Sequence, residues 1–202
     1  MSLKYVFKPA ATLFIIAVIT VASLSVVYIL TKEPIKNQKS RTQEAAMREV
    51  LPQAAEYRQI EIEKTGSIEA IFEGYYTSEA LSDSVLIGYV VQLSPEGYSG
   101  KIDLIVGISA HNEKITGMRV LRHTETPGLG AHAVKEEFYR RYNGLPLEAL
   151  GVVRNNAGGN EIQAITSATI TTKAITNAVN EAIEWYLAAN EDSDLYNERG
   201  DE

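Results

Sequence analysis

Ile165 to Thr172 reads ITSATITT, placing five hydroxyl side chains (Thr166, Ser167, Thr169, Thr171 and Thr172) in eight positions, with Ala168 and Ile170 between them. The segment stands just before a strongly patterned helix. A helix start offers about four unpaired backbone N–H groups and a partial positive charge, so a phosphate there finds donors without Lys or Arg. The hydroxyls can add hydrogen bonds to phosphate oxygens, or one of them can be esterified to the phosphate. N-capping is the other reading: Ser and Thr are favoured caps, and one cap contributes about 1 kcal/mol. One cap uses one hydroxyl, and β-branched Thr is only a moderate helix former. On the residues alone both readings stand.

A second loop, Thr124 to Gly130 (TETPGLG), carries Pro127 with Gly128 and Gly130. Glycine permits φ > 0 and close approach of the backbone to a ligand, but Pro-Gly is also an ordinary turn pair. Glu125 is the residue that turn geometry leaves unexplained.

Regular elements must hold these loops. Val85 to Leu121 reads as a small antiparallel meander, with Ile102, Leu104, Val106 and Ile108 alternating on one face of its middle strand. TETPGLG follows it and leads to a helix expected from about Ala131, with Val134, Phe138 and Tyr142 on one face. Arg154 to Asn160 (RNNAGGN) reads as a loop and Glu161 to Ile165 as a short strand entering ITSATITT. The last helix is expected over Thr171 to Ala189. Ala174, Ala178, Ala182 and Tyr186 form one row on it, and Ile175, Val179, Ile183 and Leu187 the next.

Ahead of all this, Pro9 to Thr31 contains no charged residue. At about 1.5 Å per residue it reaches roughly 35 Å, enough to cross a hydrocarbon core about 30 Å thick. A cleaved signal peptide would have a shorter apolar region, roughly 7 to 15 residues, whereas this run continues through Val26, Val27, Tyr28, Ile29 and Leu30. Lys32 to Ser40 (KEPIKNQKS) reads as a polar linker, and Arg41 to Leu51 as a stalk helix ended by Pro52. The expected organisation is a membrane anchor over 1–31, linker and stalk over 32–60, an α+β domain of antiparallel strands and a C-terminal helix over 61–190, and a solvated acidic tail over 191–202.

Composition excludes several functions. The net charge of −7 and the lack of a basic stripe argue against nucleic-acid binding. With no cysteine, this chain offers no disulfide, iron–sulfur ligation or thiol catalysis, and a total of three histidines argues against a histidine-rich metal site.

Gln163 to Glu184 (QAITSATITTKAITNAVNEAIE) resembles the flavinylation segment of FMN-binding domains. The core of that segment is Ser/Thr-Gly-Ala-Thr, usually with an acidic residue three positions ahead. Thr166 matches the Ser/Thr, Ala168 the Ala, and Thr169 the final Thr. The resemblance implies FMN covalently attached through a phosphodiester bond to Thr169 by a dedicated flavin transferase, with neighbouring hydroxyls and helix N–H donors holding the phosphate. Ser167 stands where the family has Gly, and is accommodated if the backbone there avoids φ > 0. Gln163 stands where the family has Asp, in a position that bears on recognition by the transferase.

His123 to Gly130 (HTETPGLG) resembles the second hallmark of the domain, a loop close to the flavin, which implies Glu125, Thr126, Gly128 and Leu129 on the ring side. One span, one such domain and a C-terminal flavinylated helix resemble the RnfG family, the G component of Rnf ion-translocating electron transport complexes. The C component of the Na+-translocating NADH:quinone reductase is a relative of that family. Rnf complexes move electrons between ferredoxin and NAD, coupled to transport of Na+ or H+. The resemblance thus implies an electron relay with no catalytic residue of its own, and the other membrane and peripheral Rnf subunits as partners. It also implies a flavin domain on the extracytoplasmic side of the cytoplasmic membrane. The flanking charges point the other way: Lys4 and Lys8 precede the span, while Lys32, Lys36, Lys39 and Arg41 follow it. The rival readings are a membrane-tethered binding or assembly domain, and a covalent-FMN protein of another respiratory or regulatory system.

Overall fold

Helix α1 (Lys4–Val50) carries the uncharged stretch in its N-terminal half. The computed structural model describes residues 4–62, 65–77 and 84–197. Among these, α1 is the one helix long and apolar enough to cross a membrane, and the apolar window it offers is wholly unburied by protein. The stretch 32–40, expected as a linker, is helical and includes Pro34. An interior proline removes one backbone hydrogen bond, yet the Lys, Glu and Gln around it and the helix formers from Arg41 onward favour continuation. The helix stops ahead of Pro52, as expected.

The chain divides into two compact units between Gln43 and Glu44. The second unit takes in the final turns of α1. Its centre is a five-stranded antiparallel meander of β1 (Glu56–Ile60), β2 (Ile68–Thr77), β3 (Ser84–Leu93), β4 (Ile102–Ser109) and β5 (Lys114–His123), paired in chain order. The three strands expected between Val85 and Leu121 are β3 to β5. β1 and β2 are additions, and the charges of Glu56, Arg58, Glu69 and Glu73 obscure their alternation.

Both faces of the sheet are covered. Ile102, Leu104, Val106 and Ile108 of β4 join Ile71, Val91, Leu93 and Met118 in one core, closed by Ile175, Ala178, Val179, Ala182, Ile183 and Tyr186 of α3 (Thr169–Asn197). Full burial of an aliphatic side chain contributes about 2 kcal/mol, so this layer dominates the stability of the unit. On the opposite face Ile87, Val90 and Ile105 pack against Ala46, Met47, Val50, Leu51 and Ala54. Cross-strand glycines make that approach possible. A Cβ on Gly107 would meet the Val50 carbonyl oxygen at 2.5 Å, and one on its partner Gly117 would meet Val50 Cα at 3.3 Å. Thr116 Oγ1 donates to the same Val50 carbonyl.

After β5 the expected single helix is broken into a 3₁₀ turn (Gly130–Val134), a short helix α2 (Glu136–Tyr139) and a second 3₁₀ turn (Arg140–Tyr142). Lys135 is extended at ψ 143°, which interrupts the spacing: Phe138 and Tyr142 are buried edge-to-face at 5.7 Å, while Val134 is exposed. Burial pushes the Tyr142 phenol above its ordinary pKa, and its hydroxyl meets Thr176 Oγ1 at 2.9 Å. β6 (Gly151–Val153) and β7 (Glu161–Gln163) form a two-stranded parallel ladder, so the strand expected to reach Ile165 ends at Gln163.

α3 begins at Thr169 rather than Thr171 and runs beyond Ala189 to Asn197, taking in part of the expected tail; residues 198–202 lie outside the described residues. Both apolar rows face the core except at their ends, where Ala174 is half-buried and Leu187 exposed. The unit is α+β, as the pattern implied.

Candidate functional site

The turn between β7 and α3 is fixed by backbone bonds. Ala164 N donates to Val153 O at 2.7 Å and Ala168 N to Ile165 O at 2.9 Å; Thr172 N donates to Ala168 O at 3.1 Å and opens the helix. Inside this turn Ser167 adopts φ 62°, the left-handed region that the sequence reading required it to avoid. A non-glycine residue there costs about 1 kcal/mol, and the bonds on either side hold it in place.

The five hydroxyls divide sharply. Thr172 is buried, with Oγ1 donating to Ala168 O and accepting from Ile165 N, both at 3.0 Å. Thr171 is buried too, donating to Glu125 Oε2 at 2.5 Å. Ala168, which immediately precedes the helix, has no side-chain oxygen, so N-capping by Ser or Thr does not account for the cluster. Among the described residues, the hydroxyls of Thr166, Ser167 and Thr169 have no hydrogen-bond partner. Thr166 and Ser167 are exposed, and Thr169 is half-buried.

Glu125 explains how the two loops meet. It is 5% exposed, and its Oε1 accepts from Tyr98 N at 2.8 Å and Ser99 N at 3.0 Å while Oε2 accepts from Thr171. One carboxylate thereby joins the β3–β4 turn, the TETPGLG loop and the first turn of α3. Hydrogen bonds to an ionised acceptor are the stronger kind, and three of them leave this side chain little freedom.

A cavity of about 390 Å³ opens beside this junction. Tyr98, Leu129, Ala168 and Ile170 give it apolar wall, and Glu125, Thr126, Ser167, Thr169 and Thr171 polar edges. Tyr98, Ile170 and Leu129 are 69%, 56% and 40% exposed, an unusual concentration of open apolar surface. A second cavity of about 350 Å³ is lined by Arg154, Asn155, Thr166, Ser167 and Thr169. Ser167 and Thr169 therefore line both cavities. Gly128, at φ 79°, lies instead on a third cleft with His132, Lys135, Arg141, Thr166 and Ser167.

Of the residues singled out in the sequence, Glu125, Thr126, Leu129, Ser167, Ala168, Thr169, Ile170 and Thr171 share the first cavity. Thr166 and Gly128 stand outside it, and Thr172 is fully buried. Sequence reasoning missed Tyr98 and Arg154. Both sit in turns rich in Gly, Ser and Asn, where the only signal was one large side chain among small ones. No group of His, Asp or Glu with metal-binding geometry occurs among the described residues.

Residues 97–184 match the family model for the FMN-binding domain, and residues 1–50 that for the RnfG N-terminal region. The chain is 34% identical to the G component of the ion-translocating oxidoreductase complex of Methanosarcina acetivorans, covering 93% of this chain and 97% of that one. It is 36% identical to the corresponding component of the Na+-translocating ferredoxin:NAD+ oxidoreductase complex of Acetobacterium woodii, over 91% and 92% of the two chains. It is 30% identical to that of the proton-translocating complex of Clostridium ljungdahlii, over 89% and 90%. The crystal structure of the C component of the Na+-translocating NADH-quinone reductase from Parabacteroides distasonis superposes with a TM-score of 0.55 at 15% identity. It covers 76% of this chain and 94% of that one, a likeness of fold. The chain belongs to the RnfG family of ion-translocating oxidoreductase complexes and carries that family's FMN-binding domain.

Proposed function

We propose that this protein carries FMN esterified through its phosphate to Thr169 and relays electrons within a membrane-bound ferredoxin:NAD+ oxidoreductase that translocates Na+ or H+. One observation carries the attachment. Thr169 is the hydroxyl that stands at the first residue of α3, has no partner among the described residues and lines a cavity with apolar walls. The relatives named above support the complex.

The cavity fits the group. About 390 Å³ lies within the range of small-molecule sites, and Tyr98, Leu129 and Ile170 offer the apolar contact that a planar ring system needs. Glu125 already satisfies three donors, so its part is to hold the two loops together rather than to touch the ring. The first N–H groups of a helix have no intrahelical acceptor, so the start of α3 would offer donors to a phosphate held on Thr169. Bound FMN supplies the capacity to accept and pass on electrons, while the protein sets its position and environment. A covalent tether fixes the distance to the next carrier even where contacts to the ring are loose.

We assign the protein to the cytoplasmic membrane through its anchor helix, and the flavin domain to the extracytoplasmic side, where the transferase of this family acts. The Lys and Arg count opposes that side, but long domains translocate largely regardless of flanking charge.

The deciding experiment is intact mass of the denatured protein, co-produced with its flavin transferase, with peptide mapping across Glu161 to Glu184. Added mass of one esterified FMN on Thr169 is expected, and Thr169→Ala should lose it with stability unchanged to within about 0.5 kcal/mol. An unmodified peptide, with the transferase active on a control acceptor, favours a tethered assembly domain instead.

A further inference from the structure

The geometry points to Arg154 as the counter-ion of the flavin phosphate, an anion subsite on the side of Thr169 away from the ring cavity; this rests on attachment at Thr169. Thr169 stands between two cavities of different character. The first has the apolar wall of Tyr98, Leu129 and Ile170 and no Lys, Arg or His. The second has Arg154, Asn155 and Thr166. A phosphodiester on Thr169 would carry one negative charge at neutral pH, and Thr169 lines the second cavity as well as the first, so with the ring in the first the second would be open to that charge.

Arg154 is well placed and free. It directly follows β6, whose last residue, Val153, pairs with Gln163 and accepts from Ala164 N at 2.7 Å. The start of the Arg154 loop is thus tied to the turn bearing Thr169. Among the described residues Arg154 has no ion-pair or hydrogen-bond partner. Of the other cations near the turn, His132, Lys135 and Arg141 line the third cleft, which Thr169 does not reach, and Lys173, exposed one turn further along α3, lines neither cavity that Thr169 lines. Arg141 is in addition engaged with Glu137 O, Gln163 O and the Phe138 ring. Glu161 and Glu148 lie around the same 151–163 segment, and the chain carries a net charge of −7, so an uncompensated phosphate would meet repulsion. A guanidinium can bind a phosphate through two parallel N–H donors, which fixes orientation as well as charge.

The test is phosphorus NMR of the FMN-loaded protein, comparing the native chain with Arg154→Ala and Arg154→Lys, each folded and then denatured. The native phosphodiester should resonate away from its denatured position. Arg154→Ala should lose more than roughly half of that displacement, Arg154→Lys should keep part of it, and added salt should move the native signal in the same direction as Arg154→Ala. An Arg154→Ala signal coincident with the native one overturns the inference while leaving attachment at Thr169 intact. If folded Arg154→Ala takes no flavin while Arg154→Lys does, the charge is required and the inference stands. If neither folded variant loads, it falls, because a counter-ion role demands that lysine restore loading. Should peptide mapping find no FMN on Thr169 of the native chain, the attachment and this subsite fail together.

Discussion

Ser167 holds φ at 62° with two backbone bonds flanking it, in the turn that presents Thr169. Its side chain is exposed and its hydroxyl unpartnered among the described residues, so nothing in the contacts offsets the left-handed backbone. Ser167→Gly should therefore stabilise the protein by about 1 kcal/mol, measured by chemical denaturation. A neutral or destabilising result would mean that the hydroxyl has a role in the loaded protein. Glu125 is the opposite case, since its energy lies wholly in contacts. Glu125→Ala strips acceptors from Tyr98 N, Ser99 N and the buried Thr171 hydroxyl and should cost about 3 kcal/mol. Glu125→Gln keeps an acceptor for the two N–H groups and should cost less than half as much. Equal losses in the two variants would show that charge, not the count of partners, holds the junction.

At the scale of elements, the final turns of α1 rest on the sheet where glycines leave room. Gly107→Ala would push a methyl against Thr116 Oγ1 and the Val50 carbonyl oxygen, both 2.5 Å away, so overpacking of about 2 kcal/mol is expected. For a domain of this size that lowers Tm by roughly 6 °C, read by circular dichroism, with flavin loading on the far side of the sheet retained. What the sequence made legible follows from period. The uncharged run of α1, the alternation in β4 and the apolar rows of α3 each repeat often enough to declare their element. β6 and β7 have three residues each, too few for any period, and β1 and β2 hide theirs under charges. The site divided in the same way. Hydroxyl density exposed the turn before α3, but that Thr171 reaches Glu125, 46 residues away, depends on tertiary packing and left no trace in local pattern.

For the whole molecule, two forces compete over which side of the membrane receives the flavin domain. The excess of Lys and Arg after the span draws that end toward the cytoplasm, whereas the function proposed above puts the flavin domain on the extracytoplasmic side. Since the chain has no cysteine, a single engineered one reports position without background. Asn177 is exposed on α3, while Ser2 precedes the span. With a membrane-impermeant maleimide applied to protoplasts, Asn177→Cys should be labelled at once and Ser2→Cys only after lysis. The reverse pattern would put the domain in the cytoplasm. That result would overturn the extracytoplasmic assignment and leave the attachment at Thr169 to its own test, because peptide mapping reads the ester whichever side the domain occupies.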